Sequence, residues 1–226
     1  FGTSQVTIRA DLSALEAARE LVRTHGGALL RQEEGDQPLA VKRTQHHAEK
    51  VRIARVAAAM IQDGETIILD SGSTTAEIAR QIRHRELERL SVITNALNIA
   101  LLLADVPAVQ LVMPGGLLRP QSNSLSGHMA EAAIAGLRAD RVFLGADALD
   151  PELGLMTPHL PEAQLNARMI GISRQAVVVA DASKLQRRNI SLIAPMEKLH
   201  MLITDTAAPP EVVASLRARG LEVVLA

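Results

Sequence analysis

At 226 residues, with 47% hydrophobic and 22% charged side chains, the chain suits one full α/β domain plus a small extra module, and long disordered tails are excluded. No run approaches the roughly 18 apolar residues of a membrane span, and the absence of Cys excludes disulfides, thiolate catalysis and Cys-ligated zinc, which fits a cytoplasmic protein. A formal net charge of −1 argues against a chain that coats nucleic acid through a large positive field, but not against a small basic reading head.

Residues 4–17, SQVTIRADLSALEA, place Ile8, Leu12 and Leu15 at i, i+4 and i+7, which predicts a helix with one buried stripe and Ser4 as its N-cap. Gln5, Thr7 and Arg9 then crowd its first turns, the part of a recognition helix that enters the major groove. Residues 20–30, ELVRTHGGALL, set two short apolar runs around His25-Gly26-Gly27, the chemistry of a tight hairpin turn, with Arg23 and His25 on that wing. Helix then hairpin is winged-helix order, although an ordinary helix and hairpin capping a larger domain fits the spacing as well.

Residues 32–45 are polar, contain Gly35 and Pro38, show no sustained period and read as a linker between a module at 1–31 and a domain at 46–226. Residues 46–60 predict a helix with Val51, Ile53, Ala54, Val56 and Ala58 on its apolar side and Glu49, Lys50, Arg52 and Arg55 facing out. His46 and His47 are adjacent, point about 100° apart on a helix and make a poor chelate; no metal site or cofactor is expected. From residue 65 onward, apolar runs at 66–69, 90–94, 109–113, 141–144, 176–180, 201–204 and 221–225 alternate with helical segments. The helices fall near 74–82, 96–104, 126–137, 162–173 and 210–219. Continuous Val/Ile/Leu runs separated by helices predict a mainly parallel open sheet with helices on both faces.

In such sheets ligands bind beyond the C-terminal strand ends. The first strand ends in Asp70-Ser71-Gly72-Ser73-Thr74-Thr75 and leads straight into a helix, where free backbone N–H groups, hydroxyls and the dipole suit a phosphate. A Ser/Thr-capped helix with no ligand reads equally well there. The other strand ends offer Asn95, Gly115, Gly116, Asp147 and Lys184. Lys184 would supply a point charge and Asp70 or Asp147 would accept sugar hydroxyl protons. No Walker lysine and no GxGxxG follow the first strand, which disfavours nucleoside triphosphates and dinucleotides.

Residues 1–29 resemble the second half of the DeoR-family winged helix-turn-helix, with Ala10 where that family usually has a second Arg and Ala18-Arg19 in place of its Gly-containing step. The chain opens at Phe1, inside that phrase, so the module reads as partial. LDSGSTT at 69–75, VITNALNIA at 92–100, MPGG at 113–116, FLGAD at 143–147 and ADASK at 180–184 resemble the effector domain of the same family. The resemblance implies a repressor of a sugar or amino-sugar catabolic operon, released from operator DNA by a phosphorylated sugar. It further implies a homo-oligomer, dimer or tetramer, and an effector domain similar in fold to ribose-5-phosphate isomerase. Residues 118–127 and 153–170 resemble family members that control amino-sugar operons, which implies a phosphorylated amino sugar as inducer. An isomerase is the rival reading, since GADALD at 145–150 and Glu162 resemble its catalytic segment. Its Gly-rich, Lys-bearing stretch is replaced here by LGLMTPHLP, which reads as binding retained and chemistry lost.

Overall fold

The computed structural model describes residues 5–17, 21–24, 27–30 and 37–226. Helix α1 (Gln5–Ala17) leads into an antiparallel hairpin of β1 (Leu21–Thr24) and β2 (Gly27–Leu30), with Leu21 opposite Leu30 and Thr24 opposite Gly27. Helix and hairpin are both as expected. The stripe on α1 is only partly covered: Ile8 and Leu15 are 43% and 39% exposed, and Leu12 is half-buried. Thr7 and Arg9 are exposed on α1, and Ser4 and His25 lie outside the described residues.

The stretch read as linker ends in a packed helix, α2 (Leu39–Thr44). Leu39 and Val41 are buried, and the Leu39 N–H donates to the Gln121 carbonyl at 2.8 Å. Six residues are too few to display a helical period, so tertiary contact defines this element. In α3 (His47–Ala59), Ile53, Ala54, Ala57 and Ala58 are buried while Arg52 and Arg55 face solvent. Lys50, expected on the outer face, is instead 3% exposed, because its Nζ turns in to donate to the carbonyls of Lys42 at 2.5 Å and Gln45 at 2.7 Å.

The chain then runs through β3 (Thr66–Leu69), α4 (Ser73–Ile82), β4 (Leu90–Thr94), α5 (Leu97–Leu103) and β5 (Val109–Val112). A short hairpin of β6 (Leu117–Arg119) and β7 (Ser124–Ser126) precedes α6 (His128–Ile134) and β8 (Ala139–Gly145). A second, of β9 (Ala148–Asp150) and β10 (Gly154–Thr157), precedes α7 (Leu160–Gly171) and β11 (Ser173–Val179). The chain closes with β12 (Ser191–Ala194), β13 (Met201–Thr204), α8 (Pro210–Ala218) and β14 (Glu222–Leu225).

The seven apolar runs form one parallel sheet in the order β14-β13-β11-β8-β3-β4-β5. Successive residues of a strand point to opposite faces. Ile67 and Leu69 thus pack with α3, α4 and α5 on one side, and Ile68 faces the cluster that α6, α7 and α8 complete on the other. Each fully buried Ile or Leu contributes about 1.5–3 kcal/mol through apolar burial, which is why short, uninterrupted aliphatic runs suffice. The chain enters at the centre with β3, walks out through β4 to β5, returns beside β3 as β8 and walks out the other way. The direction reverses between β3 and β8, and a crevice opens beyond those two strand ends.

Two pieces depart from the expected alternation. The β6–β7 hairpin and an antiparallel sheet ordered β12-β10-β9 occupy stretches read as loops or as the edges of helices. Gly116, at φ +136°, and Gly154, at φ +104°, allow them to form: a Cβ would stand 2.6 Å from the Ser126 carbonyl oxygen at the first and 2.2 Å from that of Ala194 at the second.

Candidate functional site

The crevice is a cleft of about 640 Å³, its open mouth included. Asp70, at the end of β3, is buried and closes its floor. Its Oδ1 accepts hydrogen bonds from the Gly72 N–H at 3.0 Å and the Thr75 hydroxyl at 2.9 Å, and its Oδ2 from the Gly145 N–H at 2.9 Å. One carboxylate therefore staples the ends of β3 and β8 together. Burial raises its pKa to about 6, against those same hydrogen bonds. The backbones meet so closely that a Cβ on Gly72 would lie 2.9 Å from Thr75 Oγ1 and 3.4 Å from Gly145 Cα. At the start of α4 the Gly72 carbonyl accepts from the Ala76 N–H at 3.1 Å, and the N–H groups of Ser73 and Thr74 have no acceptor within the helix. These donors, with the hydroxyls of Ser71, Ser73 and Thr74 on the cleft wall, suit an anion.

Three lysines share the cleft with that cradle. The sequence carries 24 basic residues, only four of them lysines, and Lys42, Lys50 and Lys184 all line the cleft. They come from α2, α3 and the turn Ala182–Lys184 after β11. Lys42 Nζ meets Asp147 Oδ1 at 2.5 Å. Burial pushes the Asp147 carboxyl up, yet the charge and hydrogen bond of Lys42, with Lys184 and the Thr157 hydroxyl, hold it below the usual range. Burial pushes Lys50 down to about 8 and lowers Lys184 too, there against the attraction of Asp181 and Asp147.

The remaining wall carries Glu162, from the first turn of α7. Burial first, then the neighbouring Asp147 charge, raises its pKa to about 7. The Thr157 hydroxyl donates to Asp147 Oδ2 at 3.2 Å and lies 3.5 Å from Glu162 Oε1, while Arg119 Nη1 stands 3.7 Å from Glu162 Oε2. Thr157 ends β10, so the unforeseen antiparallel sheet builds this wall, and Ile193 of β12 joins it.

Of the residues singled out in the sequence, Asp70, Ser71, Gly72, Ser73, Thr74, Asp147, Glu162 and Lys184 line the cleft together. Thr75 sits behind the wall, fully buried, holding Asp70. Asn95, Gly115 and Gly116 do not line the cleft. The Asn95 Nδ2 donates to the Leu125 carbonyl at 2.9 Å, so it anchors β7, and Gly116 shapes the same hairpin. The reading gave Lys42, Lys50 and Thr157 no role at the site, and all three stand on the cleft wall, as does Asp181 of the strand end before Lys184. For the two lysines the one legible signal was rarity, since a chain that otherwise uses Arg keeps Lys almost only here. Among the DNA-reading candidates, Gln5, Thr7 and Arg9 fall on the first turns of α1, and Arg23 falls on β1.

A helix and hairpin joined to a doubly wound domain with a cleft at its switch point has the layout of a ligand-sensing regulator. The DeoR-like helix-turn-helix domain matches residues 1–34 and the DeoR C terminal sensor domain matches residues 45–206. The chain belongs to the DeoR family and is a DNA-binding transcriptional regulator. It is 38% identical over its full length to the putative aga operon transcriptional repressor of Escherichia coli O157:H7, covering 84% of that protein. To the transcriptional repressor AccR of Agrobacterium fabrum it is 35% identical, with 91% of this chain and 80% of that one covered. The ribose 5-phosphate isomerase structure from Methanocaldococcus jannaschii superposes with a TM-score of 0.46 and 21% identity over 62% of this chain and 55% of that one. Among the described residues, no helix is long and apolar enough to cross a membrane.

Proposed function

We propose that the chain is a cytoplasmic repressor of a sugar or amino-sugar catabolic operon, whose cleft binds a phosphorylated sugar without converting it. One observation carries this reading: three of the four lysines line the same cleft as a helix N-terminus at the sheet's switch point, beside carboxylates able to accept sugar hydroxyls. Phosphate would sit against the Ser73 and Thr74 amides and the lysines; Asp147 and Asp70 would face the hydroxyls. The same geometry offers a route to the DNA module. Helix α2 adjoins that module in sequence and places Lys42 against Asp147 in the cleft. A ligand competing for either charge shifts the position of α2, and so the spacing of paired reading heads held by a dimer or tetramer. A thermal-shift panel of hexose and amino-sugar phosphates against their unphosphorylated counterparts tests the ligand class, since binding to the folded state raises Tm by mass action. Shifts with the phosphorylated compounds alone are expected; equal shifts with both refute the phosphate reading.

One observation favours a second reading. Glu162, with its pKa near 7 beside Asp147, is placed as a proton-transferring base would be. Incubation with aldose phosphates, followed for ketose formation, separates the two: turnover at enzyme-like rates makes the protein an isomerase.

A further inference from the structure

Two of the three cleft lysines are tied to the protein. Lys42 Nζ is held by Asp147, and Lys50 Nζ by the carbonyls of Lys42 and Gln45. Lys184 differs. Its backbone is clamped: the Lys184 N–H donates to the Asp181 carbonyl at 3.0 Å, and the Ala182 N–H donates to Asp205 Oδ2 at 2.7 Å. Its side chain is not, for among the described residues its Nζ makes no hydrogen bond or ion pair. The two carboxylates that attract it, Asp181 and Asp147, are already engaged, the first by the Ser183 N–H and hydroxyl and the second by Lys42 and Thr157. Burial lowers its pKa against those two carboxylates, and the charges of Lys42 and Arg187 add to the fall. More of it is therefore the free amine at a given pH than for an ordinary lysine. A partly buried amine beside another cation, with nothing bound to its nitrogen, is the setting that makes a lysine a nucleophile.

We infer that Lys184 is a covalent modification site, whose amine takes the acyl group of a small acyl phosphate bound in the cleft. This rests on the phosphate reading of the cleft, which supplies the anchor for such a ligand. An acyl phosphate joins in one small molecule the phosphate that the Ser73 and Thr74 amides would hold and a carbonyl carbon activated for attack. The amine nitrogen bonds to that carbon. The bond from the carbon to the bridging oxygen breaks, its electron pair leaves with the phosphate, and the proton shed by nitrogen ends on that phosphate. Amine and acyl phosphate dianion thus give an amide and hydrogen phosphate, with no further reactant. The amide is neutral, so the cleft loses one lysine charge, and the acylated chain should respond to effectors as Lys184→Ala does.

The test incubates the full chain with acetyl phosphate at pH 8 and follows acetylation at each lysine by peptide mass spectrometry. Lys198, exposed and outside the cleft, is the internal reference. Lys184 is expected to react about tenfold faster than Lys198 or more, through the proximity that binding confers. Its rate should saturate in acetyl phosphate and fall when inorganic phosphate is added. p-Nitrophenyl acetate, which carries no phosphate, should lose the preference. Lys184→Arg keeps the positive charge but removes the acceptor amine, so modification at this position should vanish while the Lys198 rate stays unchanged. A Lys184 rate no greater than that of Lys198, Lys42 or Lys50, or an equal preference with p-nitrophenyl acetate, overturns the inference. In that event a Tm raised by inorganic phosphate leaves the phosphate reading standing, and a Tm that phosphate does not move overturns both.

Discussion

Replacing Lys50 by Met probes a buried cation whose cost the structure puts on a pH axis. Lys50 is 3% exposed, and its pKa falls from 10.5 in the unfolded chain to about 8 in the fold. Below about pH 8 it is protonated in both states and the fold carries the burial cost. Between 8 and 10.5 the native state releases the proton while the unfolded chain keeps it, so stability rises with pH across that window. The full excursion is about 3 kcal/mol, at roughly 1.4 kcal/mol per unit of pKa shift. Met has a similar volume and no charge, so Lys50→Met removes this rise. It also removes two hydrogen bonds to the carbonyls that close α2, which lowers the whole curve by about 1–3 kcal/mol. The chain has neither Cys nor Tyr, so lysines and the terminal amine dominate titration between pH 8 and 10.5. Without Tyr or Trp, urea unfolding is followed by far-ultraviolet circular dichroism in half-unit pH steps. The wild type should gain about 3 kcal/mol on Lys50→Met from pH 8 to 10.5. Parallel curves for the two proteins would refute a desolvated ammonium at this position.

Glu162 works with the opposite sign. Its pKa rises from 4.5 to about 7 on folding, so the native state binds more protons in that interval and wild-type stability falls as pH climbs through it. Glu162→Gln should therefore gain up to about 3 kcal/mol on the wild type between pH 4.5 and 8, read from the same unfolding curves; no relative gain removes the buried-acid assignment. Gly72→Ala places a Cβ 2.9 Å from Thr75 Oγ1 and pries β3 from β8; operator binding in a gel-shift assay should stay while sugar-phosphate response is lost. Lys184→Ala and Thr74→Val are expected to abolish release by sugar phosphates without changing operator affinity, and loss of repression with sugar response intact would contradict the site. Arg9→Ala, on the exposed first turns of α1, should weaken operator binding about tenfold and leave effector affinity unchanged in calorimetry.

Seven aliphatic runs, the helices between them and the SGSTT loop were legible in the sequence, because a strand buried on both faces must be apolar throughout and a phosphate cradle needs small residues before a helix. Periodicity and strand-end chemistry are local, so they survive without coordinates. The β6–β7 hairpin and the β9–β10–β12 sheet were not legible, since strands of three or four residues carry no period and are stabilised only by distant partners. The cleft's charge pattern depended on those partners. Lys42 looks like linker and Lys50 like a solvent-facing helix position until α2 folds back on the sheet and α3 turns its lysine inward. Helix α7 brings Glu162 to Thr157 and Asp147 across a sheet that only long-range pairing creates. Local sequence set the strand end and helix N-terminus that wall the cleft, and tertiary packing set which charges surround them, because desolvation and Coulomb interactions depend on distances between segments far apart in the chain.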